Sequence, residues 1–149
     1  MAKRRSLDTD PCPVARSLDV MGDRWALLIV RDAFDGMRRF GEFQKSLGVA
    51  RNILADRLRR LVDAGVLETR PASDGTSYEE YVLSPKGQAL FPVIVGLRQW
   101  GEAHLFGPQD ARSVMLEQAS GQPIQRLALL DKQGRPLGPD DVKVKKVER

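Results

Sequence analysis

RRFGEFQKSLGVARNILADRLRRLVDAGVLE, residues 38–68, decides the fold. In its first part Phe40, Phe43 and Leu47 face one way and Gly48 closes the segment, which predicts a short helix. After a very short connection, RNILADRLRRLVDAG gives the clearest helical pattern in the chain. At about 100° per residue, Leu58, Leu61 and Gly65 lie within about 40° of the direction of Leu54. Asn52, Asp56, Arg59 and Asp63 then point within about 40° of the opposite direction, while Arg51 and Ala55 lie toward one flank. Gly65 is the C-terminal stop. Two short helices joined by a tight turn, the second rich in arginine, define a helix-turn-helix.

Downstream, Val66 to Arg70 reads as a strand, PASDGTS as a turn, and Tyr78 to Leu83 as a second strand, so a hairpin follows the helix pair. That order is a winged helix-turn-helix. Ser84-Pro85 caps a further helix that the stripe Leu90, Val93, Ile94, Leu97 and Trp100 carries to about Phe106. Such a helix would span roughly 33 Å, long for so small a domain, and a partner helix is the natural cover. Upstream, Pro11 and Pro13 bracket Cys12, and Val14, Leu18 and Met21 predict a first helix stopped by Gly22. Asp23 then caps a second, Arg24 to about Phe34, with its stripe at Trp25, Leu28, Ile29 and Ala33.

Beyond Gly107-Pro108 the composition changes. Val114-Met115-Leu116 and Leu127 to Leu130 are separated by SGQP and KQGRP turns and followed by VKVKKV. The expectation is a small β appendage of two or three strands with a basic end. The predicted class is therefore mainly α with a small β-hairpin wing (α+β). Residues 1–106 form the winged helix-turn-helix with a long C-terminal dimerisation helix, and residues 107–149 form the appendage.

Composition narrows the function. The chain has 149 residues, 42% hydrophobic and 30% charged, which suits a folded domain rather than a disordered one. Its longest apolar run, Trp25 to Val30, is six residues, against the roughly 18 a membrane helix needs. The opening MAKRRSLDTD has no apolar core of a secretory signal, so a cytoplasmic location without membrane attachment is expected. One cysteine, Cys12, permits neither an internal disulfide nor a cysteine-built zinc site, and one histidine, His104, permits no histidine-built catalytic centre. No enzyme activity, cofactor or metal is expected.

The net charge of +4 is unevenly placed. Residues 36–70 carry eight basic side chains against four acidic, while residues 1–35 balance. A concentrated basic surface is the electrostatic footprint of a nucleic-acid contact, since each neutralised phosphate releases counterions. Major-groove reading uses the first turns of the recognition helix, residues 51–64. Arg51 and Asn52 are thus the first candidates, suited to guanine and adenine, with Ala55 and Asp56 next, the latter to accept from cytosine. Arg59 and Arg60 lie further along and suit phosphates, as do Lys45 and the Arg38-Arg39 pair at a helix start. Double-stranded DNA is the expected partner; a solvated arginine face is the plain alternative.

Three stretches now carry a resemblance: CPVARSLDVMGDRWALLIVRDAF, the stretch 38–68 and EYVLSPKGQALFPVIVGLRQWG. Over about residues 12–106 the chain resembles the HxlR-type winged-helix transcriptional regulators of bacteria, relatives of the MarR group. The resemblance implies a homodimer built from the first and last helices, here Val14 and Leu18 with Leu90, Val93, Ile94, Leu97 and Trp100. Members often carry an arginine in the wing where this chain has Tyr78. Residues 71–80 contain no lysine or arginine but do contain Asp74, Glu79 and Glu80, leaving Arg70 as the wing's main phosphate contact. Some longer members have zinc-ribbon-like tails; the matching positions here look like Glu117, Ser120, Leu130 and Gln133, which supply no thiolate, so no zinc is expected.

In several members a cysteine before Pro-Val senses oxidants or electrophiles. Cys12 matches it, and a thiol at a helix start faces the positive end of the dipole, with Arg16 and MAKRR adding charge. A small packing residue is the other reading. Trp100 and His104, one turn apart, are either an effector pocket or plain interface. The leading expectation is a homodimeric, sequence-specific regulator of transcription that answers a small molecule or a redox signal. A winged-helix module that binds proteins or small molecules without DNA is the alternative, and the acidic wing leans that way.

Overall fold

The computed structural model describes residues 6–148, so the MAKRR segment expected to add charge near Cys12 lies outside the described residues. The chain divides into two compact units, Met1–Phe91 and Pro92–Arg149. In the first, α1 (Pro13–Met21), α2 (Arg24–Phe34), α3 (Phe40–Leu47) and α4 (Arg51–Asp63) precede the antiparallel hairpin of β1 (Leu67–Pro71) and β2 (Glu79–Leu83) and the single turn α5 (Pro85–Gln88). Leu67 pairs with Leu83 and Pro71 with Glu79, leaving residues 72–78 as the tip. The class is mainly α with a two-stranded wing.

Local chemistry sets these boundaries. The Asp23 carboxylate accepts from the Trp25 N–H and starts α2. Gly48 ends α3 at φ 61°, a left-handed turn that glycine enters without a Cβ clash, so α4 can begin three residues later. The Ser84 hydroxyl accepts from the Gly87 N–H and donates to the Val66 carbonyl, stitching α5 to the start of the wing. A Cβ at Gly87 would meet that same carbonyl oxygen at 2.2 Å, so the approach requires glycine.

The core of this unit lies where α2 and α4 meet, closed by α3 and the hairpin. Ile29, Val30, Phe43, Leu54, Leu58, Leu61 and Leu67 are all but inaccessible. Each such side chain contributes about 1.5–3 kcal/mol by leaving water. The face expected of α4 is the buried one. In α2 the buried set is Ala26, Ile29, Val30 and Asp32, while Trp25, Leu28 and Ala33 are half-buried. The predicted stripe is displaced because α2 packs against α1, α3, α4 and β2 and is covered on several sides.

Two further expectations are corrected. The single helix from Pro85 to about Phe106 is two: α5 and α6 (Phe91–His104), the latter about 21 Å long. Pro92 cannot donate to the Gln88 carbonyl and its ring clashes there, so the helix stops and restarts. In residues 107–149 the described backbone forms no strands, only the isolated bridges Leu116–Pro123 and Leu130–Pro136 and a short 3-10 turn at Pro139–Asp141. Each bridge includes a proline, which has no N–H with which to extend a ladder. The second unit groups α6 with this tail because Arg98 donates to Ser113, Gln99 to the Gln125 carbonyl, and Arg112 to the Glu102 carbonyl.

Candidate nucleic-acid interface

Burial of Leu54, Leu58 and Leu61 turns the opposite side of α4 to solvent, and Arg51, Asn52, Ala55, Arg59 and Arg60 are all exposed. The helix starts at Ala50 with no side-chain cap. The Arg51 guanidinium sits 4.8 Å over the centroid of the Phe40 ring, so the first turn of α3 positions it.

Asp56 is less free than its neighbours. Its carboxylate meets Arg57 at 2.8 Å, Arg59 at 2.7 Å and Arg60 at 2.9 Å, and its side chain keeps only 27% exposure. Arg57 also pairs with Asp23, the cap of α2. That hydrogen bond further favours the already charged guanidinium and links the two helices through one ion network. The separation of 34 residues between Arg57 and Asp23 hides this pair from any local sequence pattern.

The arginines before α3 are tied to the wing. Arg38 lies 3.6 Å from the Glu80 carboxylate, and Arg39 pairs with Asp74 and lies 3.9 Å from Glu80. The Arg39 guanidinium also sits 6.0 Å over the Tyr78 ring, and the Tyr81 N–H donates to the Arg38 carbonyl at 2.7 Å. The hydrogen bond from Arg39, aided by the Thr76 N–H, pushes the Asp74 carboxyl down to about 2. Glu80 is buried and accepts from the Ser73 N–H and hydroxyl, which lower its carboxyl below the usual range. Between α3, Arg51 and Tyr78 lies a cleft of about 710 Å³. Arg70 is exposed near the tip end of β1, opposite Glu80 in the hairpin and 3.6 Å from Glu68, and Lys45 is exposed on α3.

The residues expected at a dimer interface divide. Val14, Leu18, Val93, Leu97 and Trp100 are exposed, Leu90 is half-buried and Ile94 is buried within the chain. Cys12 is exposed at the N-cap of α1, its N–H donating to Asp10. The Trp100 and His104 rings lie 5.5 Å apart on α6. Glu117 and Ser120 lie in one tail turn, closed by the Gly121 N–H on the Glu117 carbonyl; Leu130 and Gln133 flank another, organised by Asp131. Among the described residues no group of three or more metal-ligating side chains converges, and no helix is long and apolar enough to cross a membrane.

A helix pair with an exposed arginine- and asparagine-bearing second helix, followed by a hairpin, defines a winged helix-turn-helix protein. Residues 20–108 match the model of the HxlR-like helix-turn-helix family, and the chain belongs to it. An uncharacterised HTH-type transcriptional regulator of Mycobacterium tuberculosis is 45% identical over 96 residues, which are 64% of this chain and 61% of that protein. The crystal structure of PA1607, a candidate transcription factor, is 52% identical and superposes with a TM-score of 0.90 over 95% of this chain and 99% of its own. The redox regulator HypR in its reduced form is 28% identical, with a TM-score of 0.58 over 63% of this chain and 94% of its own. These relatives are regulators, not enzymes.

Proposed function

We propose that the chain is a cytoplasmic homodimeric regulator that binds duplex DNA, with α4 in the major groove. The observation that carries this reading is the division of α4 into a leucine face sealed in the core and an exposed face bearing Arg51, Asn52 and Ala55 at its first turns. Arg51 and Asn52 read base edges; Arg59, Arg60, Lys45 and Arg70 meet phosphates, and Arg38 and Arg39 do so once released from the wing. Asp56 holds three arginines and acts mainly by orienting them.

Selection of bound duplexes from a random library, followed by a salt titration, tests this. A regulator returns a two-part site with half-sites about one helical turn apart and an affinity that falls steeply with salt. A protein that enriches no sequence and shows no salt dependence is a protein-interaction module instead, the reading that the carboxylates on Arg38 and Arg39 favour.

Dimerisation uses the exposed apolar residues of α1 and α6. Leu97→Glu with Trp100→Glu gives monomers in sedimentation and abolishes operator binding; an unchanged dimer places the interface elsewhere. The signal is a small molecule or an oxidant. Cys12 is the oxidant arm, supported by its exposure at a helix start and by the likeness to a redox regulator. Peroxide then lowers operator binding of the parent and leaves Cys12→Ser unaffected. Equal loss in both makes Cys12 a packing residue.

A further inference from the structure

The second unit holds a cavity of about 280 Å³ that the winged helix-turn-helix does not use. Three arginines line it, Arg98 on α6 and Arg112 and Arg126 in the tail, with Glu102 as its one acidic residue. Met115 and Ile124 supply an apolar wall.

The arginines are held differently. Arg98 donates to the Ser113 hydroxyl at 2.9 Å and lies 3.8 Å from the Glu102 carboxylate. Arg112 donates to the Glu102 backbone carbonyl at 3.0 Å, an uncharged partner. Among the described residues Arg126 makes no hydrogen bond or ion pair. A guanidinium carries five N–H donors and stays charged at any relevant pH, so the cavity presents positive charge and free donors that Glu102 cannot satisfy alone. An anion answers both. The apolar wall adds that this anion carries an apolar body, and a volume just under the usual range for ligand pockets limits it to a small molecule.

We propose that this cavity binds a small organic carboxylate, its charged end on Arg126 and Arg112 and its apolar body against Met115 and Ile124. Arg98 and Gln99, already tied to the tail, keep the cavity open. This deepens the small-molecule arm of the proposed function and rests on that reading only for any consequence at the DNA. It also moves the effector site away from Trp100 and His104, neither of which lines the cavity.

The test is calorimetric titration of the full chain, without DNA, with 2-naphthoate and with its neutral counterpart 2-naphthalenemethanol. Charge-assisted hydrogen bonds to the carboxylate make the acid bind about tenfold tighter than the alcohol. Arg126→Gln removes most of that preference, and Glu102→Gln strengthens naphthoate binding severalfold by deleting the competing carboxylate; thermal melts verify that both variants fold. Equal affinity for acid and alcohol overturns the proposal. So does the absence of heat from naphthoate at about 1 mM, or an Arg126→Gln variant that keeps the full preference. Since no DNA is present, none of these failures touches duplex binding, which the library selection decides separately.

Discussion

On α4 the outer arginines are exposed even where they pair: Arg59 and Arg60 keep 68% and 67% of their side-chain surface although both contact Asp56. At the wing the carboxylates come from another element. Asp74 and the buried Glu80 reach back to Arg38 and Arg39, so hairpin and helix pair are joined by the charges that a basic surface would offer to DNA. A count of basic residues in the window 36–70 treats all its arginines alike. The fold sorts them: Arg51 stacks on Phe40 with no ion pair among the described residues, Arg59 and Arg60 share Asp56 yet stay mostly exposed, and Arg38 and Arg39 face carboxylates of the wing. If Arg39 meets a phosphate as proposed, Asp74 is its internal competitor, and binding at this edge exchanges one anion for another instead of adding a contact.

The largest effects fall on the free side. Arg51→Ala and Asn52→Ala each relax preference at particular base positions by about 1–3 kcal/mol, read from duplexes carrying single base-pair changes. If the pattern of preferences is unchanged in both, α4 does not read bases through its first turn, and the contrast with the wing collapses.

At the wing the effects are smaller and independent of sequence. Asp74→Asn strengthens binding to all duplexes alike and steepens the salt dependence by about one phosphate equivalent, since Arg39 is released. Arg39→Ala in the parent changes the slope by much less than that. In the Asp74→Asn background the same substitution lowers it by about one, and the difference between backgrounds is the coupling. An Arg39→Ala effect equal in both means that Asp74 does not compete.

These two regions also differ in how far the sequence discloses them. The inner face of α4, the Asp23 cap and the turn at Gly48 are local signals, set by residues within a few positions of one another. The wing's charges are equally visible in Asp74, Glu79 and Glu80, but their partners are not. Arg39 and Asp74 are 35 residues apart, and only the pairing of β1 with β2 and the bond from Tyr81 to Arg38 bring them together. Periodicity shifts the buried stripe of α2 and misleads most at the last helix: the apolar spacing of Leu90, Val93, Ile94 and Leu97 runs straight through Pro92, where the backbone cannot follow. The cavity of the second unit gave no signal, because its arginines come from positions 98, 112 and 126, one on α6 and two in a tail with little regular structure.

The smallest expected effect is an absence of change with pH, and its sign follows from the carboxyl. Arg39 and the Thr76 N–H favour the charged form of Asp74 and hold its carboxyl at about 2. A group shifted downward contributes fully above its ordinary range, near 4, and loses that contribution only as pH falls through the lowered value. When a phosphate takes Arg39, Asp74 loses its partner and faces negative charge, so its carboxyl rises toward the ordinary range or somewhat beyond. Both states remain ionised between about pH 6 and pH 8, and the competition is constant over that span. The ratio of duplex affinity between Asp74→Asn and the parent, measured across it at fixed ionic strength, is therefore flat. Below it the ratio narrows, because protonation of the displaced carboxylate begins to favour the DNA-bound parent. A ratio that already narrows between pH 8 and pH 7 assigns the anion to another group and removes Asp74 from the comparison.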